Sequence, residues 1–275
     1  MKHNENVKVQ LHNLRHSAAH LLAQAVTQLF PETKTTMGPV TETGFYYDFL
    51  PPRNFKEEDL PLIEAKMREL SKQGYKIEGK QVPKEEAKRL FAGNQFKQEL
   101  IDSIPDETVG IFTQGDFYDL CKGGHVESLD QIKHFMLTTI SGSYWRADRS
   151  GTALQRISGI AFLSKEDLEN YLKLQEELKL YDHRVLGKQL DLFSFHDEAP
   201  GMVFFHQKGL TLFNGLVEHL RGLQKEVGYQ EIKTPMILTE SLWRTSGHYD
   251  NFKNSMFFTT VEETSYCVKP MNCPC

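Results

Sequence analysis

Two histidines four residues apart within one amphipathic stretch constrain this chain more than any other feature. In Asn13–Phe30 (NLRHSAAHLLAQAVTQLF), Leu14, Ala18, Leu21, Leu22, Ala25, Val26 and Leu29 recur at the spacing of one helix face. Asn13 reads as the N-cap, and Pro31 follows where the helix must end. Residues at i and i+4 share a face, so the imidazoles of His16 and His20 point into one space. About a hundred residues later, Cys121-Lys-Gly-Gly-His125 repeats that spacing with a thiol and a third imidazole. Gly123 and Gly124 make this second segment a turn whose backbone can approach a ligand closely.

The chemistry of this set is limited to two kinds. Nitrogen and sulphur donors at H-x-x-x-H and C-x-x-x-H spacing suit Zn²⁺. Alternatively, imidazoles titrating near neutrality can order a water and move its proton without any metal or covalent intermediate. Asp119, two residues before the cysteine, can orient an imidazole, and Lys97 can supply positive charge to a developing oxyanion. Packing alone is a weaker explanation of two matched pairs than of any single histidine.

A chain of 275 residues, 39% of them hydrophobic, can bury a sizeable core and holds more than one domain. The net charge of −5 gives no global field for nucleic acid, although a local basic patch is enough for RNA. Four cysteines, three of them at 267, 273 and 275, do not form a secreted disulfide framework. The polar start MKHNENVKVQ lacks a signal-peptide core, and no apolar run approaches ~18 residues, so neither secretion nor a membrane span is expected. A reducing cytoplasmic setting fits best.

The rest of the pattern predicts an α+β fold. Residues 38–49 read as a strand pair turning near Thr43-Gly44, 56–74 as a helix tolerating Pro61 in its first turn, and 75–82 as a strand. A helix follows Pro83, another turn lies at 96–101, and 109–121, 132–144 and 154–163 are β-branched and aromatic enough for strands. These define a first domain, 1–163, of helices packed on an antiparallel sheet. A charged linker helix covers 164–189, capped by Ser164, and a second domain spans 190–275. There, 210–227 reads as a helix and GYQEIKTPMI (228–237) as a strand interrupted by Pro235. The ending KPMNCPC, with no closing element, reads as a domain cut short.

RHSAAHLL, GFYYDF, DLCKGGHV, GSYWRAD with LQRI, GKQLDLF, EAPGMVFFH, SGHYDNF and CVKPMNCP occur in this order. Together they resemble bacterial threonyl-tRNA synthetase, a class II enzyme, from about residue 14 to 274. The resemblance implies threonine–tRNA ligation for the family, and a first domain that hydrolyses mischarged Ser-tRNA(Thr). It implies that His16, His20, Lys97, Asp119, Cys121 and His125 form that editing site, although Phe96 stands where the family more often has Tyr. Alanyl editing domains bind zinc with the same pattern, whereas the threonyl site works without metal. The second domain resembles the start of a class II catalytic domain, with Pro235 in motif 1 at a homodimer interface. Cys273 matches one ligand of the family's catalytic zinc, and Met271 the amino-acid pocket.

The partners so implied are the tRNA(Thr) acceptor end, threonine and Mg-ATP. Motifs 2 and 3 lie outside this stretch, which leaves the editing site as its own activity. Arg146, Arg149 and Arg156, near Tyr144 and Trp145, either contact the tRNA acceptor end or belong to a solvated hairpin with core aromatics. The competing readings are a zinc-dependent alanyl-type trans-editing hydrolase and a non-catalytic tRNA-binding or dimerisation module.

Overall fold

The computed structural model describes residues 2–273, with side chains described from residue 6 onward. Pro274 and Cys275, part of the expected C-terminal break, lie outside the described residues. Backbone contacts separate two compact units, Met1–Leu180 and Tyr181–Cys275.

The first unit opens with α1 (Lys2–Leu29), β1 (Lys34–Thr35), β2 (Gly44–Leu50), α2 (Leu60–Gln73) and β3 (Ile77–Pro83). It continues with α3 (Lys84–Leu90), α4 (Gln95–Ser103), β4 (Thr108–Gln114), β5 (Phe117–Leu120), β6 (His134–Tyr144), β7 (Ala153–Phe162) and α5 (Lys165–Leu180). Two antiparallel sheets carry it, ordered β1-β2-β7-β6 and β3-β4-β5. The expected α+β class is correct.

The predicted face of α1 is the centre of the core. Leu14, Ala18, Leu21, Leu22, Ala25 and Val26 are all at most 2% exposed and pack with Phe45, Tyr47 and Phe49 of β2 and Ile63 and Met67 of α2. Burying each large aliphatic side chain stabilises the fold by roughly 1.5–3 kcal/mol, enough to seat α1 across the sheet. Buried Arg15 fixes its azimuth, donating from Nε to the Ala161 carbonyl at 3.1 Å and from Nη1 to that of Glu42 at 2.7 Å.

Several expected boundaries move, each for a local reason. Asn13 is not an N-cap: α1 already runs from Lys2, because nothing between Lys2 and Asn13 breaks a helix. The predicted strand 109–121 is a hairpin, since Gly115 (φ 59°) turns the chain between β4 and β5. Residues 37–40 lie beside β2 without forming a strand; Val40 makes an isolated bridge to Phe45, and Pro39 offers no N–H. The charged helix stops at Leu180, and Asp182 caps a separate helix by accepting from Arg184 N at 2.8 Å.

The second unit contains α6 (His183–Gln189), β8 (Phe193–Ser194), β9 (Phe204–Phe205), α7 (Gln207–Glu226) and β10 (Ile237–Thr239). After these come α8 (Glu240–Thr245), α9 (His248–Phe252), β11 (Phe258–Val261) and β12 (Thr264–Val268). Its strands form a three-stranded antiparallel sheet ordered β10-β12-β11 and a two-stranded pair β8-β9, and its buried cluster is Trp243, Met256 and Cys267. Residues 228–236 are not the expected strand; pairing begins only at Ile237, beyond the proline that lacks a donor. Among the described residues, no helix is long and apolar enough to cross a membrane.

Candidate active site

One turn of α1 and the loop after β5 build a single pocket. His16, Ser17 and His20 face the segment Cys121–Val126. Gly123 and Gly124, at φ 102° and 85°, occupy backbone conformations that L side chains resist, and this folds His125 back over His16. The two rings stack with centroids 4.3 Å apart, and His20 meets both edge-on, at 4.6 Å from His125 and 5.1 Å from His16. The Cys121 Sγ lies 3.3 Å from His16 Nε2 and 3.2 Å from His125 Nε2. One donor atom from each of His16, His20, Cys121 and His125 falls within 4.8 Å of the others. The two expected pairs therefore converge.

His16 has a defined tautomer. Its Nδ1 is 3.2 Å from the Gly124 carbonyl, which can only accept, so Nδ1 carries the proton and Nε2 presents a lone pair.

Behind the imidazoles lies a buried polar trio. Asn94 caps α4 by accepting from Phe96 N and Lys97 N, which aims the Lys97 side chain inward. The ammonium pairs with Asp119 and donates to Tyr47 Oη at 3.0 Å, while Tyr47 donates to Asp119 Oδ2 at 2.6 Å. All three are at most 2% exposed. His20 Nδ1 stands 4.0 Å from Asp119 Oδ2, too far for a hydrogen bond but close enough to feel its charge. Lys97 is thus tied to the pocket through Asp119 and Tyr47, and its charge is felt at His20 and Cys121.

Burial sets the protonation states. It lowers all three imidazoles: His20 to about 4 despite the Asp119 charge, His125 to about 2, and His16 in the same direction. Burial would raise Asp119, but Lys97, His20 and Tyr47 outweigh it and hold the carboxyl below its ordinary value. The Cys121 thiol is pushed up to about 11, chiefly by burial. At neutral pH the pocket therefore offers neutral imidazoles and a protonated thiol. Such a thiol is a poor nucleophile, which favours direct attack by water.

A depression of about 480 Å³ opens beside His125, lined among others by Gln10, Asn13, Glu127 and Gln131.

The other expected site residues fall elsewhere. Met271 is a partly exposed residue of the second unit, and Cys273 has one imidazole nearby, His248 Nε2 at 3.6 Å. Of the arginine cluster, Arg156 is engaged internally: it grips Asp48 with two bonds of 2.8 and 2.9 Å and stacks 3.6 Å above Tyr46. Trp145 is core, packed on Phe96 and donating to Glu99 at 2.7 Å. Exposed Tyr144, Arg146 and Arg149 keep free surface.

Two residues that contact the pocket's side chains escape sequence reasoning. Tyr47 shares the core-facing alternation of β2 with Phe45 and Phe49, and a hydroxyl at such a position requires a partner. Ser17 carries no periodic signal beyond its place next to His16.

Residues 109–158 match the threonyl and alanyl tRNA synthetase second additional domain. A threonine–tRNA ligase of Teredinibacter turnerae is 49% identical over 265 residues, covering 95% of this chain and 42% of the relative. That of Legionella pneumophila (strain Corby) is 49% identical over 277 residues, covering all of this chain and 43% of its own. Among solved structures, the RNA binding domain of threonyl-tRNA synthetase from Cryptosporidium parvum Iowa II shares 42% identity. That likeness covers 34% of this chain and 24% of the other, with a TM-score of 0.33. The chain spans about two-fifths of the length of the curated relatives it matches. Over nearly its whole length, the chain is thus similar to part of threonine–tRNA ligases.

Proposed function

We propose that the first unit hydrolyses the ester bond of mischarged Ser-tRNA(Thr). The observation that carries this reading is the convergence of His16, His20, Cys121 and His125 from segments about a hundred residues apart. A water held at the imidazoles loses its proton to His16 Nε2 as its oxygen attacks the seryl carbonyl. The Gly124 carbonyl, bonded to Nδ1–H, stabilises the imidazolium that results. Collapse of the tetrahedral intermediate expels the ribose oxygen, which takes the proton back, leaving serine and free tRNA. Serine lacks threonine's methyl, worth only ~1–3 kcal/mol of discrimination in a binding pocket, so a second sieve that admits only the smaller group is needed.

The reading further assigns the acceptor end of tRNA(Thr) to the surface around this pocket. Threonine–tRNA ligation, with Mg-ATP, threonine, a zinc that uses Cys273, Met271 beside the amino acid and a homodimer through the Pro235 segment, is proposed for the full length of such enzymes.

The geometry also favours a second reading. Three imidazole nitrogens and one sulphur within 4.8 Å of one another are a donor set that Zn²⁺ accepts. In that case His16, His20, Cys121 and His125 would hold the ion, which supplies Lewis-acid polarisation and a more acidic water. Metal analysis separates the two: stoichiometric zinc, lost in Cys121→Ala, supports the alanyl-type hydrolase.

Deacylation of Ser-tRNA(Thr) by the purified chain tests the main reading. His16→Ala is expected to slow it by roughly 10²–10⁴-fold, the scale for removing a general base, with Thr-tRNA(Thr) spared by the parent chain. No deacylation above background, or none of the rate lost in His125→Ala, overturns it.

A further inference from the structure

Ser17 is fully buried on α1, between His16 and the returning loop, and the reaction as described above does not use it. Its Oγ has two partners across the fold. It accepts from the Val126 backbone N–H at 3.0 Å and faces His125 Nδ1 at 3.1 Å. A serine hydroxyl has one proton to give, and a buried one must give it. If Nδ1 donated to Oγ, the hydroxyl proton would be left unpaired in the interior. The arrangement that satisfies every group has Ser17 O–H donating to Nδ1, which places the His125 proton on Nε2.

Direction then propagates. His125 Nε2–H points at Cys121 Sγ, 3.2 Å away, and the same sulphur faces the His16 Nε2 lone pair at 3.3 Å. His16 Nδ1–H ends the chain on the Gly124 carbonyl at 3.2 Å. Both anchors, Gly124 C=O and Val126 N–H, flank His125 itself, so backbone groups that cannot reverse polarity fix the whole series.

We propose that Ser17 is a positioning residue: by donating to His125 Nδ1 it makes His125 a hydrogen-bond donor and leaves the proton-acceptor role to His16. This deepens the editing reading and rests on it for its catalytic consequence. His125 Nε2–H would then serve the oxyanion, while His16 serves the water.

The test is two-bond ¹H–¹⁵N correlation NMR at neutral pH on the ¹⁵N-histidine-labelled chain, which distinguishes the two neutral tautomers. Signals among the 11 histidines are assigned from His16→Ala and His125→Ala. The wild type should show His125 as Nε2–H and His16 as Nδ1–H. Ser17→Ala should shift His125 to Nδ1–H or to a mixture, Ser17→Thr should restore Nε2–H, and His16 should not change. Ser-tRNA(Thr) deacylation should fall on the order of tenfold in kcat in Ser17→Ala, the scale for losing a group that orients an active imidazole, with KM little altered and recovery in Ser17→Thr. Wild-type His125 as Nδ1–H, or a tautomer unmoved in Ser17→Ala, overturns the proposal. The expected tautomers in a chain that never cleaves Ser-tRNA(Thr) support the assignment to Ser17 and overturn the editing reading alone.

Discussion

The two units put similar side chains to opposite uses. In the first, the apolar face of α1 is closed over by β2, β7 and α2, and ionisable groups are trapped beneath it. In the second, α7 carries leucines at comparable spacing, yet Leu212, Leu216 and Leu220 are each more than half exposed. A helix stripe becomes core only where another layer covers it. The polar groups teach the same lesson. Asp191, His206 and Ser194 are linked in series, at 2.7 Å and 2.9 Å, much as an orienting acid, a base and a hydroxyl would be. Asp191, however, is 75% exposed, so water competes for every member of that series. In the first unit the contacts among Lys97, Asp119 and Tyr47 are buried instead. Connectivity is common to both; burial is what differs.

Perturbation of the buried trio should separate the units most sharply. Lys97→Met strands the Asp119 carboxylate in the interior and is expected to cost about 3–5 kcal/mol of the first unit's stability. Removing Arg221 or Glu231, an exposed pair at 2.7 Å in the second unit, should shift nothing measurable. Urea unfolding followed by Trp145 fluorescence in a Trp243→Phe background reads the first unit alone, since the chain has 2 tryptophans. A loss below about 1 kcal/mol for Lys97→Met would mean that water already reaches the trio.

Acid gives the next largest effect. His20 is held at about 4 in the fold against 6.5 when free, so between these values the unfolded chain binds a proton that the folded one refuses. Stability from this group is therefore complete above pH 6.5 and is lost as pH falls toward 4, a change on the order of 3 kcal/mol. His125 acts in the same direction and continues the loss toward pH 2, and Asp119 adds its own loss once pH drops below the carboxylate range. Melting temperature against pH should thus slope through this window in the parent chain and flatten in His20→Gln. An unchanged slope in that variant would show that His20 is not kept neutral by the fold.

The smallest effect is expected on the open face of α7. Leu216→Ser should alter stability by no more than about 0.5 kcal/mol, as for surface substitutions generally, while lowering the binding of a hydrophobic dye. A destabilisation on the scale of Leu22→Ala, about 2–5 kcal/mol, would instead reveal that α7 is covered in solution.

Much of the architecture was readable in advance because local rules suffice for it. The α1 face, the strands carrying Phe45 and Ile157, and the helix after Pro83 follow from periodicity and turn chemistry. The failures were also local in origin. Asn13 resembles a cap but sits inside a longer helix, and Gly115 divides a run that composition alone reads as one strand. Of the pocket, the His16–His20 pair and the Cys121–His125 pair were visible as spacings. Arg156 shows the opposite case: its place near Trp145 suggested a nucleic-acid contact, and pairing with Asp48 across strands uses it internally.

By itself the sequence determined that His16 and His20 share one helix face, because 3.6 residues per turn leaves no choice. It equally determined that glycines at 123 and 124 would let the second segment turn sharply. Only the tertiary structure decided that the two segments meet, that Tyr47 and Lys97 enclose Asp119, and that Ser17 stands at the far nitrogen of His125. Those outcomes depend on contacts between residues up to 109 positions apart and on the removal of water from them. Desolvation is a property of the assembled layers, and no pattern of neighbours along the chain encodes it.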